Sequence, residues 1–177
     1  IRYKHNPDNL NSLSHSEIHS IGEDENGNIW IGTERGLNQF NRNSDSFIRF
    51  YSDKGTHRLI ADNKVTSISK DKKGRLWLCH YTKGSVTLLD PLAGTAQFFT
   101  HDPDDPGSLP INDIKYVYEG RQGILWFIST TGGNMYKHDS NSQKFITFKH
   151  NPQKPQSLNG NSVLPIFEDS KGIVWIG

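Results

Sequence analysis

The chain has 177 residues, of which 33% are hydrophobic, 11% aromatic and 22% charged, and its formal net charge is +1. No stretch approaches 18 consecutive apolar residues, so the sequence offers no candidate transmembrane helix. Neither charge sign forms a sustained run, which argues against a nucleic-acid-binding surface. The 16 glycines and eight prolines, with many Asn, Asp and Ser residues, are typical of short strands joined by tight turns.

Strand signals begin at the first residue. Residues 1–7 resemble residues 145–152 and are predicted to be the last strand of a preceding four-stranded unit, here called a blade, with its exit loop. Runs of β-branched and aromatic residues at 17–23, 28–33, 36–41 and 47–51 then predict four strands. Similar runs follow, so residues 1–177 are interpreted as one repeat segment, with blades at 14–52, 62–102 and 111–150 and half a blade at 160–177.

Four tryptophans mark the repeat. They are 47 or 49 residues apart, and each follows a glycine by three positions. The tryptophans are Trp30, Trp77, Trp126 and Trp175, and the glycines are Gly27, Gly74, Gly123 and Gly172. The neighbours of each tryptophan are apolar, which indicates strands that are buried on both faces. We therefore expect four indoles in equivalent buried sites that pack between blades, in preference to a sugar-stacking platform.

An aspartate begins the turn before the tryptophan in three units, at Asp24, Asp71 and Asp169. Its carboxylate can accept backbone N–H groups, and the glycine supplies the positive φ that closes the turn. These aspartates are thus interpreted as structural and not catalytic. In the third unit Gly120 replaces the aspartate, so the sequence predicts a turn without a side-chain acceptor.

The repeat length indicates the fold. A four-stranded antiparallel unit of this size cannot bury both faces alone, and radial stacking of such units gives a β-propeller. The predicted fold class is all-β: a β-propeller fragment built of four-stranded antiparallel blades, with about three and a half repeats. A parallel solenoid is the main alternative, but its coils have only about 20–30 residues. Because a propeller closes with about 4–8 blades, we expect further blades in the parent chain.

The motif that runs from Asp24 through Gly27 and Trp30 to Thr33, followed by Gly-Leu-Asn-Gln-Phe-Asn at 36–41, resembles the two-component regulator propeller repeat. The segments that join His-x-Pro to Ser-Leu at 5–13, 101–109 and 150–158 resemble the linkers of that family. The match is looser in the second unit, where Cys79 and His80 replace Gly-Thr, and in the third unit.

This resemblance implies a role in signal transduction. Such repeats build seven-bladed propellers in the periplasmic part of hybrid two-component sensors, ahead of a membrane helix and a histidine kinase. It further implies a membrane-anchored parent protein that controls transcription, with an oligosaccharide as the sensed ligand. The segment itself is expected to bind and not to catalyse.

The histidines do not form an obvious metal site. His15 and His19 are four residues apart, which separates them by about 13 Å on an extended segment. Three equivalent linker histidines are expected to hydrogen-bond within their loops in preference to sharing a metal: His5, His101 and His150. The linker at 102–107 resembles a calcium loop only in part, because Pro106 stands where a ligand is required.

No catalytic or cofactor motif is found in the sequence, and no cofactor or metal is predicted. The lone Cys79 lies in an apolar run and is interpreted as a buried thiol. Two alternatives to a sensor stay open. One is a metal-dependent propeller lyase or hydrolase of the streptogramin-lyase type, which needs paired His and Glu side chains on one face. The other is a protein-docking scaffold.

A binding face follows from the predicted topology. If the first strand of each blade lines the central axis, the loops between strands two and three share one face with the interblade linkers. Their hydroxyls, cations and aromatic ring suit the hydrogen bonding and stacking of an oligosaccharide. The candidate ligand-binding residues are Arg35, His80, Tyr81, Lys83, Thr130 and Thr131, beside Glu34.

The expected partners are the remaining blades of the parent chain and an oligosaccharide ligand. A homodimer is an alternative, because unpaired strands at 1–4 and 173–176 would offer edges to another chain. No nucleic-acid partner is expected, and membrane contact is expected only through the parent protein.

Overall fold

The structure is a computed structural model that describes residues 1–53, 58–129, 131–139, 142, 144–160 and 166–177. These residues contain fourteen strands, a single 3-10 turn and no α-helix. Within them, no helix is long and apolar enough to span a membrane. The chain divides into two compact units, Ile1–Phe99 and Thr100–Gly177.

The first unit holds two four-stranded antiparallel sheets with strands in chain order. The first sheet contains β1 (Ile18–Glu23), β2 (Ile29–Thr33), β3 (Gly36–Asn41) and β4 (Ser46–Phe50). The second contains β5 (Val65–Lys70), β6 (Leu76–His80), β7 (Val86–Asp90) and β8 (Thr95–Phe99). The four strands predicted for the first repeat are confirmed to within one residue at each end.

The second unit holds a four-stranded sheet and a two-stranded sheet. The strands of the larger sheet are β9 (Ile114–Glu119), β10 (Leu125–Ser129), β11 (Met135–Asp139) and β12 (Lys144–Phe148). The smaller sheet pairs β13 (Ile166–Glu168) with β14 (Val174–Ile176). The predicted fold class, an all-β propeller fragment of four-stranded blades, is confirmed. The assignment of residues 1–7 to a preceding blade stays a prediction. In the structure this segment forms an isolated bridge from His5 to Leu13, and the Tyr3 ring packs against Phe40 and Phe47.

A register shift recurs where the first strand of each complete sheet pairs with the end of the second. It falls between Ile18 and Ser20 in the first sheet and between Val65 and Ser67 in the second. The larger sheet of the second unit has it at Ser129. A bulge bends the strand and redirects side chains, and bulges are common beside binding sites. All three lie at the edge that carries the predicted binding loops.

The two sheets of the first unit pack on each other through an apolar core. Trp30 and Leu37 of the first sheet pack with Val65, Ile68 and Leu76 of the second, and all five are at most 8% exposed. Gly22 allows this close approach, because a Cβ there would lie 2.5 Å from a methyl carbon of Ile68. The predicted role of Trp30 between blades is confirmed.

The other tryptophans differ in exposure. Trp77 is 4% exposed, as expected for the buried site, and Trp126 is half-buried. Each of the first three indoles lies beside a phenylalanine of its fourth strand, at centroid distances of 5.5, 5.6 and 5.7 Å. Those phenylalanines are Phe50, Phe99 and Phe148. The three complete repeats therefore share one local packing arrangement.

The prediction of a buried site is wrong for Trp175, which is 58% exposed. The physical reason is that, among the residues the structure describes, β14 pairs only with β13, so no third or fourth strand flanks this indole. Its neighbour Phe167 is 61% exposed for the same reason.

The aspartate turns have the predicted structural role. The carboxylate of Asp24 accepts hydrogen bonds from the backbone N–H groups of Asn26 and Asn28, both at 3.0 Å, and from the Trp30 indole at 2.9 Å. Gly27 closes the turn with a φ of 76°. In the second repeat, the Arg75 side chain donates to the Oδ2 atom of Asp71, which is equivalent to the Asp24 oxygen that accepts from the Trp30 indole.

The prediction for the third turn is wrong, because the turn at Gly120 does have a side-chain acceptor. Glu168 of β13 accepts a hydrogen bond from the backbone N–H of Arg121 at 2.7 Å. Its carboxylate lies 2.9 Å from the position that a Cβ on residue 120 would occupy. Glu168 is only 7% exposed, so a glutamate from the next repeat takes the place of the missing aspartate.

The linker histidines hydrogen-bond within their loops, as predicted. The Nδ1 atoms of His5, His101 and His150 lie 2.7, 2.6 and 2.6 Å from the carbonyl oxygens of Leu13, Leu109 and Leu158. A serine in each linker also accepts a backbone N–H group next to the histidine: Ser12, Ser108 and Ser157. The lone Cys79 is fully buried, as predicted.

Candidate functional site

The predicted binding face of the first unit is formed where β1 and β5 begin and β2 and β6 end. The backbone N–H of Glu34 donates to the carbonyl of Glu17 at 3.1 Å, so the β2–β3 turn is tied to the entry of β1. In the second sheet the N–H of Tyr81 donates to the carbonyl of Lys64 at 3.3 Å in the same manner. Strand-connecting turns and entry segments therefore share one edge of each sheet, as the sequence predicts.

An ion-pair network joins the two sheets on this face. Glu34 accepts from Lys64 and lies 2.9 Å from both Lys64 Nζ and His19 Nε2. The hydrogen bond from Lys64, followed by that from His19, lowers the pKa of the Glu34 carboxyl group. The same contact with Glu34 raises the pKa of Lys64. Lys64 does not belong to any repeated motif, so no sequence pattern marked it as a site residue.

Tyr81 is accessible on this face. It is 58% exposed, and the Lys64 ammonium lies 4.6 Å from its ring centroid. The network thus holds a cation over this ring. Lys83, in the same β6–β7 turn, is exposed. Both residues lie where the sequence predicts them, and their binding role stays a prediction.

His80 is not accessible, so the expectation that it faces a ligand is wrong. It is 1% exposed, and its Nε2 lies 2.8 Å from the Thr87 hydroxyl. Burial lowers the pKa of His80 to about 4, although Asp62 acts in the opposite direction. As the last residue of the fully buried strand β6, His80 points into the sheet packing and not into the turn.

A polar cleft of about 360 Å³ lies beside Arg35. Arg35 comes from the β2–β3 turn and is exposed. The linker before β1 and the linker before β5 supply the other walls, and the lining side chains include His5, His15, Tyr51, Asp53 and Asn63. Of these only Arg35 was a predicted site residue. Asp53 and Asn63 lie in the one linker that lacks the His-x-Pro pattern, so no repeat signal marked them.

In the second unit, Thr131 begins the 3-10 turn Thr131–Gly133 and is exposed. Its backbone N–H donates to Asp113 at 3.1 Å, and Asp113 also pairs with Lys115 at 2.6 Å. Thr130 lies outside the described residues. The candidate residues Arg35 and Tyr81 belong to the first unit and Thr131 to the second.

Three side chains on the face could in principle hold a cation. The ligand atoms of Glu17, His19 and Glu34 lie within 4.8 Å of one another. The Lys64 ammonium already pairs with Glu34 at 2.9 Å, so a metal ion would have to displace a bound cation. The geometry favours a lysine-neutralised network over a metal centre.

The comparisons with known proteins agree with this architecture. The family model for the two-component regulator propeller matches residues 12–35, 60–82 and 157–177. These three segments are therefore assigned to the two-component regulator propeller repeat. The third repeat lies outside the matched residues, in line with the replacement of its turn aspartate by Gly120. A search of curated proteins found no match.

Solved structures share the fold of the repeats. The extracellular domain of one hybrid two-component system from B. thetaiotaomicron has 22% identity and a TM-score of 0.73 over 94% of this chain and 21% of its own. A second such domain from B. thetaiotaomicron has 18% identity and a TM-score of 0.66, with 99% of this chain and 27% of its own covered. The chain thus spans about a quarter of the length of these structures.

A virginiamycin B lyase from Staphylococcus aureus is also similar to the chain in fold. It has 10% identity and a TM-score of 0.60, with 90% of this chain and 48% of the lyase covered. A similar fold therefore occurs in extracellular domains of two-component systems and in a lyase, and the function has to be argued from the site.

Proposed function

We propose that the chain is a non-catalytic, ligand-sensing propeller segment of a two-component sensor, located outside the cytoplasm, and that its ligand is an oligosaccharide. The observation that carries the proposal is the match of three repeats to the two-component regulator propeller family. The parent protein is then a membrane-anchored hybrid histidine kinase that controls transcription. Its other blades complete the ring.

The face of the first unit supports a binding role. It combines an exposed aromatic ring, an open polar cleft and charged side chains of both signs. Such a mixture serves the hydrogen bonding and ring stacking that sugars need. The ion pair between Glu34 and Lys64 also joins the two blades, so a ligand that contacts it would affect their relative packing.

A lyase is the second candidate, and the cluster of Glu17, His19 and Glu34 is the observation that favours it. Such an enzyme would need these ligands free for a metal ion, whereas Lys64 holds Glu34. We therefore place sensing first.

A glycan-binding screen on the intact protein tests the proposal, with product analysis of every bound oligosaccharide. A sensor binds the oligosaccharide and returns it unchanged, and the bound ligand changes the phosphorylation of the kinase. Release of a shortened or unsaturated sugar would contradict the non-catalytic part. Signalling that responds only to a protein partner would contradict the oligosaccharide part.

A further inference from the structure

The polar cleft of the first unit has an unusual set of hydrogen-bonding groups, which the tautomers of its two histidines define. His5 Nδ1 faces the Leu13 carbonyl at 2.7 Å, so this nitrogen carries the proton and Nε2 is an acceptor. His15 Nδ1 instead accepts the backbone N–H of Glu17 at 3.1 Å. Its Nε2 therefore carries the proton and is a donor.

The two charged side chains of the cleft, Arg35 and Asp53, likewise provide one hydrogen-bond donor and one acceptor. Arg35 is exposed, and none of the ion pairs among the described residues involves it. Asp53 is exposed, and among the described residues it accepts a hydrogen bond from the Asn63 amide at 3.2 Å. These four side chains thus offer two donors and two acceptors, and the formal charges of Arg35 and Asp53 cancel.

This balance suits an uncharged polyhydroxyl ligand such as a sugar. Each hydroxyl group of a sugar both donates and accepts, so adjacent hydroxyls need a donor and an acceptor side by side. The Asp53 carboxylate would repel an anionic ligand, and the Arg35 guanidinium would repel a cationic one. A volume of about 360 Å³ lies at the lower end of small-molecule sites, which measure about 300–1,000 Å³.

We propose that this cleft binds an uncharged sugar unit of the sensed oligosaccharide, with Arg35 and the His15 Nε2–H as donors and Asp53 and His5 Nε2 as acceptors. The Tyr51 ring forms part of the wall against the apolar face of the sugar. This inference rests on the proposed sensing function, and it specifies both the residues and the charge class of the ligand.

The test measures calorimetric binding of neutral hexasaccharides of glucose, xylose and mannose, and of hexagalacturonate, to the intact protein. We expect binding of a neutral hexasaccharide. The variants Arg35→Ala and Asp53→Asn should each weaken it by about tenfold, the loss of one hydrogen bond to a charged group. Arg42→Ala is the matched control, because Arg42 is an exposed arginine in the turn at the opposite edge of the same sheet.

The outcomes separate the inference from the proposed function. Binding of a neutral hexasaccharide that both variants retain would overturn the cleft assignment and leave oligosaccharide sensing intact. Binding of hexagalacturonate alone would overturn the neutral class and also leave sensing intact. Signalling by a non-carbohydrate ligand, without binding of any hexasaccharide, would contradict the proposed function itself. Circular dichroism of each variant checks that it is folded.

Discussion

At the residue scale, the burial of a polar side chain shows whether it has a structural role or can contact a ligand. His80 and Tyr81 are adjacent in the sequence, yet one is 1% and the other 58% exposed. The difference comes from the end of β6, which lies in the core, and the following turn, which does not. A histidine kept neutral by burial affects stability and not binding.

For His80 we expect stability to fall with acid. The pKa of His80 is about 4 in the folded chain and about 6.5 when unfolded, because burial disfavours the imidazolium. As the pH falls from about 6.5 to about 4, His80 therefore becomes protonated in the unfolded state but stays neutral in the folded state. The free energy of unfolding therefore falls by about 3 kcal/mol over this range, at about 1.4 kcal/mol for each pH unit.

Urea unfolding followed by tryptophan fluorescence between pH 7.5 and pH 4 measures this effect. His80→Gln should remove most of the decline between pH 6.5 and pH 4.5, whatever its stability at pH 7.5. Parallel curves for the variant and the wild type across this interval would contradict the prediction.

Glu168 gives a second prediction at this scale. Glu168→Ala should destabilise the chain by about 1 kcal/mol, because the part-buried backbone N–H of Arg121 loses its charged acceptor. Gly120→Asp alone should also destabilise, since its side chain would meet the Glu168 carboxylate. In the double variant the new aspartate meets no carboxylate and can accept the N–H groups two and four residues on, as Asp24 does, so the combined loss should be smaller than the sum.

A double-mutant cycle from urea denaturation measures this coupling. Simple addition of the two losses would show that Glu168 does not replace the turn aspartate.

At the scale of one element, the turn before each tryptophan organises its hairpin. Four hydrogen bonds reach Asp24, from two backbone N–H groups, the Asn28 amide and the Trp30 indole. Burial would raise the pKa of Asp24, but the hydrogen bonds from Trp30 and Asn28 outweigh it and lower the pKa. The carboxylate therefore stabilises the β1–β2 hairpin as an anion.

Asp24→Ala should cost about 2 kcal/mol, because it leaves the buried Trp30 indole N–H without an acceptor and removes three part-buried hydrogen bonds. The matched control is Asp169→Ala in the same turn of the last repeat, where the Trp175 indole also donates at 3.0 Å. Trp175 is exposed, so water can replace the lost acceptor there and the cost should be smaller. Equal losses of unfolding free energy in the two variants would contradict this explanation.

At the scale of the whole molecule, the first sheet has an uncovered apolar face. Ile18 and Ile21 are 45% and 65% exposed, whereas their counterparts Val65 and Ile68 in the second sheet are 0% and 8% exposed. The second sheet buries these positions against Trp30 and Leu37 of the first. The same apolar pattern on the first sheet fits the packing of another blade.

We therefore expect the isolated 177-residue chain to self-associate. Light scattering should give a mass above 20.1 kDa, because exposed apolar sheet faces and strand edges pair with other chains. Ile21→Lys should shift the chain towards the monomer, whereas Ile48→Lys, a similarly exposed isoleucine of β4, should have less effect. A stable, strictly monomeric wild-type chain would contradict this prediction.

Much of this architecture could be predicted from the sequence, because the repeat is local. The 47- and 49-residue spacing of the tryptophans, the turn glycines and the alternation of strand runs depend on neighbouring residues. These features determined the four-stranded blades, the role of Asp24 and the hydrogen bonding of the linker histidines. Arg35, Tyr81 and Thr131 were placed on turns for the same reason.

Only the tertiary structure decided which side chains are accessible and which repeats complete one another. Contacts with residues distant along the chain, or their absence, decide that His80 is buried and that Trp175 is exposed. They also decide that Glu168 accepts a hydrogen bond from the third turn. The cleft of Arg35, Asp53 and the two histidines likewise combines three separate loops. A local pattern specifies backbone conformation, whereas burial and side-chain partners depend on how sheets pack, which no single repeat contains.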